Sequence, residues 1–309
     1  MLNRDSLLLK VATLYYESNL TQTTIAKRLK ISRPTVSNLL KEARDRGIVR
    51  ITIQHSKMNT NKQQDEIATK YNLDNVYIAP QSYGALTNKN LVGSLCADFI
   101  EQIAPEIQTL GIGWGTTMYE FVHAASHTNF NHLKITPLMG GFGISDVKFH
   151  SNHLAFQLAE KYNCGVNYFY APAFAESIEV KDTFESTNLV KEIYDQGKNV
   201  DLAITGVGNP AETSTYQRLG YITSEEKKSI RSSPIIGDVL ATFFDENGTS
   251  VSTPISDRML GIKLEDLEMV KEVLVVASGE EKIPSIKALL NKGFINHLII
   301  DTDIANGLI

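Results

Sequence analysis

The stretch TQTTIAKRLKISRPTVSNLLKEARDRG, residues 21–47, decides the fold at the start of the chain. Its second half predicts a helix that begins after Ser32, carries Pro34 in its first turn and ends at Gly47. Apolar side chains recur at i, i+3, i+4 and i+7 and give this helix one buried face: Val36, Leu39, Leu40 and Ala43. Residues 21–29 predict a shorter helix with its own apolar side, and the pair indicates a helix-turn-helix.

The other face of the second predicted helix carries groups that bind bases and phosphates. The candidate DNA contacts are Arg33, Pro34, Thr35, Ser37, Asn38, Lys41 and Arg44. The alternative is an ordinary αα-hairpin with a solvated basic face. Charge favours DNA, because residues 1–54 hold ten Lys or Arg and four Asp or Glu, a net charge of +6, whereas the whole chain carries −5. A basic module on an acidic body is typical of a nucleic-acid-binding protein.

The length of 309 residues suits two domains. Residues 4–18 predict a first helix that packs under the helix-turn-helix, and 48–54 predict a short strand that could form a wing. The polar stretch 55–63 reads as a linker. The expected organisation is therefore an all-α, optionally winged DNA-binding domain over 1–54 and a second domain over 64–309.

The two cysteines, Cys96 and Cys164, make no disulfide framework, and the N-terminal sequence lacks the apolar core of a signal peptide. No apolar run approaches the ~20 residues of a membrane helix. We therefore expect reduced thiols and a cytoplasmic protein with no membrane contact.

From Val76 onward, apolar strand-length runs alternate with amphipathic helices. The predicted strands are 76–80, 110–114, 133–139, 166–172, 202–208, 239–244, 273–278 and 297–301. The predicted helices are 88–103, 116–126, 152–163, 183–197, 223–232, 281–292 and 302–308. This alternation predicts a Rossmann-like α/β domain, with a mainly parallel sheet covered on both faces. The exception is Asn247-Gly248, which predicts a hairpin with a type I′ turn.

The motif GIGWGTT, residues 111–117, is the strongest candidate for ligand chemistry. It follows a predicted strand and opens a predicted helix, where backbone N–H groups and the hydroxyls of Thr116 and Thr117 favour a phosphate. It lacks the lysine of a P-loop and the full dinucleotide fingerprint, so it implies no nucleotide. A tight turn without a ligand is the alternative.

Other predicted strands also end in glycine: LMGGFG (138–143), ITGVG (204–208) and VASG (276–279). Ligands of open parallel sheets bind outside the carboxyl ends of the strands, so these turns predict one common crevice. Asp238 and Lys282 lie near such turns and could bind sugar hydroxyls and phosphate. Each could equally be a surface charge or a helix cap.

Metal and hydrolase chemistry have little support. His123 and His127 are spaced i, i+4, and His150 and His153 form an HxxH pair, but no cysteine or carboxylate follows at ligand spacing. There is no GxSxG signature. We expect no metal, no cofactor and no catalytic residue.

Several segments together resemble the SorC family of bacterial transcriptional regulators over nearly the whole chain, most closely its deoxyribonucleoside regulators. They are LTQTTIAKRLKISRPTVSNLLKEARDRGIV (20–49), GIGWGTT, LMGG, RLGY (218–221), GDVLATFFDENG (237–248), ISDRMLGI (255–262), ASGEEK (277–282) and LIIDTDIA (298–305). The resemblance implies an effector domain similar to phosphosugar isomerases, a phosphorylated sugar as effector, operator DNA as partner, and assembly as dimers or tetramers. Effector binding would lower the affinity of a repressor for its operator.

The resemblance also implies an effector site, made of Gly113, Gly115, Thr116, Thr117, Met139, Gly140, Gly141, Gly206, Gly208, Asp238 and Lys282. One position departs from the pattern. The deoxyribose-phosphate sensors of the family have a lysine before the glycine pair, where it forms an imine with the ligand. Met139 stands there, and a thioether forms no imine. Either the ligand differs or it binds non-covalently. The competing function is a phosphosugar isomerase-like enzyme, in which the helix-turn-helix would have no role.

Overall fold

The computed structural model describes residues 4–49, 60–82, 87–141, 146–210, 216 and 221–309. The chain divides into two compact units, Met1–Ser56 and Lys57–Ile309. Residues 50–54 of the strand predicted over 48–54 and most of the predicted linker lie outside the described residues, and residues 48 and 49 form a bend.

Residues 4–49 of the N-terminal unit form three α-helices: α1 (Arg4–Ala12), α2 (Gln22–Leu29) and α3 (Arg33–Asp45). A π-helical turn, Thr13–Glu17, extends α1. The Ser32 hydroxyl accepts a hydrogen bond from the Thr35 N–H at 3.2 Å, which caps α3 as predicted. At the other end Gly47 has φ of +71°, the left-handed conformation that ends helices.

All three helices contribute to one apolar core. The buried residues are Leu8, Val11, Ala12, Ile25, Ala26, Val36, Leu39, Leu40 and Ala43. The apolar face predicted for α3 is therefore the face that packs against α1 and α2. The helix-turn-helix is confirmed.

The C-terminal unit is built on a seven-stranded parallel sheet in the order β1-β9-β8-β5-β2-β3-β4. Its strands are β1 (Asn75–Ala79), β2 (Thr109–Ile112), β3 (Lys134–Pro137), β4 (Gly165–Val166), β5 (Leu202–Gly206), β8 (Glu272–Ala277) and β9 (His297–Asp301). A separate antiparallel pair consists of β6 (Gly237–Val239) and β7 (Thr242–Phe244).

Helices cover both faces of the sheet. They are α4 (Thr60–Tyr71), α5 (Asn88–Ile103), α6 (Thr116–Ala124), α7 (Ser151–Tyr162), α8 (Ile178–Ser186), α9 (Asn188–Lys198), α10 (Ser224–Arg231), α11 (Leu264–Leu267), α12 (Ile283–Lys292) and α13 (Thr302–Leu308). Along β8, Val273 and Val275 belong to one apolar cluster, and Leu274 and Val276 belong to another. Successive side chains of a strand point to opposite faces, so both faces are buried and the predicted α/β class is confirmed.

Three predicted elements differ from the structure. The strand predicted over 239–244 is interrupted, because β6 ends at Val239 and β7 begins at Thr242. The strand predicted over 166–172 shrinks to the two residues of β4, and the rest of that segment is irregular. The helix predicted over 183–197 is two helices, because the Thr187 hydroxyl accepts from the Val190 N–H at 3.3 Å and starts α9 anew. A residue with capping chemistry interrupted an otherwise continuous helical pattern.

The predicted type I′ turn at Asn247-Gly248 is wrong. The left-handed conformation occurs at Gly248, with φ of +69°, but not at Asn247, and a type I′ turn needs both. The Gly248 N–H donates to the Asp245 carbonyl at 2.9 Å, which is the pattern of a tight turn followed by a left-handed glycine. The antiparallel pairing of Phe244 with Ser250 confirms the predicted hairpin itself, and a further turn at Leu240, where φ is +47°, joins β6 to β7.

No helix in the described part of the chain combines the length and the apolar character needed to cross a membrane.

Candidate functional site

A cavity of about 270 Å³ lies where the carboxyl ends of the central strands meet. The strands β8, β5 and β2 are neighbours in the sheet, and two of the glycine-rich turns that line the cavity follow β2 and β5. The lining residues are Lys89, Trp114, Gly115, Thr116, Thr117, Gly206, Val207, Gly208, Asp238, Leu240, Glu281 and Lys282. Seven of the residues predicted for an effector site are therefore brought together in one cavity.

The N-terminus of α6 forms one wall. Gly115 precedes the helix with φ of +102°, and a Cβ there would meet no atom within 4 Å. Its own N–H donates to the Phe149 carbonyl at 2.9 Å. The cradle for an anion therefore consists of the first-turn N–H groups of Thr116 and Thr117, which have no acceptor within the helix, together with their hydroxyls.

Asp238 lies on another wall of the cavity and presents one carboxyl oxygen, Oδ1, that has no donor among the described residues. Its backbone pairs with that of Gly208 through N–H···O bonds of 2.9 and 3.2 Å, which hold the side chain over the turn after β5. The residue is 7% exposed, and its Oδ1 atom has no hydrogen-bond partner among the described residues. Burial raises the pKa of this carboxyl to about 7, although the charge of Lys282 and a hydrogen bond from Tyr216 act in the opposite direction.

Gly208 makes room for this carboxylate. A Cβ at Gly208 would collide with Oδ1 of Asp238, so only glycine allows the carboxyl group its place. Gly208 therefore leaves the space that the Asp238 carboxyl occupies.

Two lysines face the cavity. Lys282 ends a short 3₁₀ turn before α12, and its pKa is lowered to about 8, first by burial and then by the charge of Lys89. The ammonium of Lys89 donates to Oγ1 of Thr116 at 3.0 Å. A cation pair beside a helix N-terminus is an environment that favours an anion.

Sequence reasoning missed Lys89 and Trp114. Lys89 lies in the first turn of α5, 27 residues before Thr116, and only the packing of α5 on α6 brings the two together. Trp114 stands inside the predicted motif, and its ring lies 4.6 Å from that of Tyr216, centroid to centroid. Its place in the glycine-rich turn was the signal that could have marked it.

Four predicted residues lie outside the cavity lining: Gly113, Met139, Gly140 and Gly141. Met139 is 0% exposed and pairs with Gly261 in an isolated bridge, so its thioether is part of the core. A Cβ on Gly140 would come within 2.5 Å of the Pro172 carbonyl oxygen. The glycine pair thus permits close backbone packing.

The candidate DNA surface lies on α3. Every residue predicted to contact DNA is exposed, and the buried side of the helix holds none of them. The Thr35 hydroxyl already has a hydrogen-bond partner, because it lies 2.8 Å from the hydroxyl of Ser32, the residue that caps the helix. Arg46 pairs with Asp5 at 2.7 Å, so that arginine serves the fold of the unit.

Within the described residues, no group of three or more His, Cys, Asp or Glu side chains is arranged to hold a metal ion.

Comparison with known proteins defines the class of the chain. Residues 56–309 match the family described as "Putative sugar-binding domain", and residues 11–55 match the MarR family. Together with the fold, these matches define a transcriptional regulator with a helix-turn-helix followed by a sugar-binding domain. The chain belongs to this sugar-binding family, and its relatives place it among the SorC-family regulators.

Two curated relatives extend over nearly the whole chain. The deoxyribonucleoside regulator of Bacillus subtilis is 29% identical, covering 99% of this chain and 98% of its own. The sorbitol operon regulator of Klebsiella pneumoniae is 27% identical, covering 98% of this chain and 97% of its own.

Two solved structures of regulators are also similar to this chain. Full-length SorC of Klebsiella pneumoniae is similar with a TM-score of 0.76 and 26% identity, over 100% of this chain and 99% of that one. A DeoR family transcriptional regulator from Listeria monocytogenes gives a TM-score of 0.75 and 28% identity, over 81% of this chain and 99% of that one.

Proposed function

We propose that this regulator binds operator DNA through the exposed face of α3 and releases it when a phosphorylated sugar occupies the cavity of the C-terminal unit. The observation that carries the proposal is the pairing of two chemistries in one cavity. The N-terminus of α6 with Lys89 and Lys282 suits a phosphate, and Oδ1 of the buried Asp238 carboxyl has no donor among the described residues. A sugar phosphate supplies both the anion and a hydroxyl donor.

The names of the relatives suggest the biological setting. They include a deoxyribonucleoside regulator, a sorbitol operon regulator and an erythritol catabolism regulatory protein. We infer that this chain represses an operon for carbohydrate or nucleoside catabolism, in the cytoplasm where the operator lies. We further propose a dimer or tetramer, because two helix-turn-helix units must reach half-sites about one helical turn of DNA apart.

The sugar phosphate is proposed to bind without a covalent bond. The position at which related sensors form an imine is Met139, whose side chain is fully buried. Borohydride reduction with ligand present is expected to trap no adduct. A mass increase equal to a reduced sugar phosphate on Lys89 or Lys282 would contradict the non-covalent proposal.

The test uses the full chain and DNA fragments that it selects from a random pool. We expect fluorescence anisotropy to show tight, salt-sensitive binding, and addition of a sugar phosphate from a panel to release the DNA. The unphosphorylated sugars should fail. A panel in which no phosphorylated sugar alters DNA binding would refute the proposal. Incubation of the same panel without DNA, followed by NMR, tests the isomerase alternative, for which we expect no turnover.

A further inference from the structure

The contact between Lys89 and Thr116 fixes the direction of a hydroxyl. A lysine ammonium can only donate, so Oγ1 of Thr116 accepts in the 3.0 Å bond between them. The hydroxyl hydrogen of Thr116 then remains for another acceptor. Since Thr116 lines the cavity in the first turn of α6, that hydrogen can be donated to a ligand placed beside the helix N-terminus.

The start of α5 is held firmly against α6. Thr87 and Asn90 form a capping box, in which the Asn90 N–H donates to the Thr87 hydroxyl at 3.3 Å. The Asn90 amide also donates to the Glu120 carboxylate of α6 at 2.5 Å. Further along α5, a Cβ on Gly93 would come within 2.6 Å of the Glu120 carbonyl carbon. The backbone that carries Lys89 is thus pre-organised relative to Thr116.

The charges around the cavity also favour an anionic ligand beside Thr116. The ammonium groups of Lys89 and Lys282 face one cavity and repel each other, and the charges of Glu281, Asp238 and Asp301 oppose this effect at Lys282. The Oδ1 atom of Asp238 is buried and has no donor among the described residues. A ligand with two negative charges would relieve the repulsion between the lysines, whereas a neutral sugar would not.

We infer that Lys89 is a specificity-determining residue of this cavity: it orients the Thr116 hydroxyl as a donor and supplies the second positive charge that selects a phosphate dianion over a neutral ligand. This inference rests on the proposed effector site. It adds a residue from α5, outside the glycine-rich turns, to the recognition of the phosphate.

The test measures binding of radiolabelled inorganic phosphate to the full chain by equilibrium dialysis. Loss of a charge-assisted hydrogen bond raises a Kd about 10- to 100-fold, and this increase is expected for Lys89→Met. Lys89→Arg keeps a charge and donors and should lie nearer to the wild type than to Lys89→Met. The control is Lys191→Met, which removes an exposed lysine that lines a different groove of the same unit and should leave the Kd unchanged.

A double-mutant cycle tests the route through Thr116. If Lys89 acts partly by orienting that hydroxyl, the losses in Lys89→Met and Thr116→Val should be less than additive. If the losses of phosphate-binding free energy are additive, Lys89 contributes only its charge, and its role in positioning the Thr116 hydroxyl is overturned. Thermal melting confirms that each variant is folded.

The outcomes separate this inference from the proposed function. Equal phosphate affinity of wild type and Lys89→Met would overturn the role of Lys89, even where sugar phosphates still release DNA. No saturable phosphate binding by the wild type would likewise overturn the inference. If the protein binds phosphate as expected but no sugar phosphate changes its affinity for DNA, the inferred role of Lys89 stands and the proposed function is refuted.

Discussion

Substitution of Asp238 by asparagine should change how the stability of the C-terminal unit depends on pH. The carboxyl is buried, its Oδ1 atom has no donor among the described residues, and its pKa is raised to about 7 from an ordinary 3.8. Between these two values the folded state holds a proton that the unfolded state has released. The wild-type unit therefore loses stability as pH rises from about 4 to about 7, and Asp238→Asn should not show this loss.

The magnitude follows from the two pKa values. A shift of about three pKa units corresponds to roughly 4 kcal/mol once the carboxyl is ionised in both states. Over the narrower window from about pH 5 to pH 7, linkage gives a loss on the order of 2 kcal/mol for the wild type relative to the variant. The buried amide of the asparagine adds a penalty of its own, on the order of 1–3 kcal/mol, but that penalty is the same at every pH.

The assay is urea unfolding at several pH values, followed by tryptophan fluorescence. Trp114 is the only tryptophan of the chain, so the signal reports the C-terminal unit alone. Asp182→Asn is the control, since it removes an exposed carboxylate from the same unit. If the stability of Asp238→Asn falls with pH in parallel with the wild type, the carboxyl is not buried as described and the reasoning fails.

Four further outcomes are expected. Asn38→Ala should weaken operator binding by about 1–3 kcal/mol with little effect on random DNA, and equal losses would remove it as a base reader. Lys41→Ala should weaken binding to all DNA and lower the slope of log K against log salt by about one, as measured by anisotropy. Phosphate affinity measured by dialysis should fall as pH rises through about 8, where Lys282 loses its charge; a flat profile would exclude its part in binding. Light scattering of residues 57–309 should show a dimer or larger, and a strict monomer with or without ligand would contradict the proposed assembly.

The sequence predicted those parts of the fold that depend on local pattern. The buried face of α3 follows from the spacing of Val36 and Leu39, and the central strands follow from apolar runs ended by glycine. The misses have local causes as well: the Thr187 hydroxyl starts a new helix inside one periodic pattern, and Gly248 turns without the partner that a type I′ turn needs.

The site was only partly predictable, because its composition depends on packing between distant segments. The turn after β2 could be recognised by its glycines. Nothing in the sequence near residue 89 marks Lys89, since its role arises from the seating of α5 on α6. Met139, which the motif resemblance assigned to the effector site, is fully buried and lies outside the cavity lining.

The cavity combines features that cost the folded protein stability and that a ligand can compensate. A buried carboxyl oxygen with no donor among the described residues and two ammonium groups that repel each other each raise the free energy of the folded state. A phosphorylated sugar would donate a hydroxyl hydrogen to Oδ1 of Asp238 and add negative charge beside the two lysines. Because binding removes these unfavourable interactions, it is more favourable by the free energy that they cost the protein without ligand.

The Asp238→Asn variant should therefore bind the effector more weakly than the wild type, and its stability should depend less on pH. A variant that became less pH-dependent yet bound the effector as well as the wild type would show that the strained carboxyl plays no part in recognition.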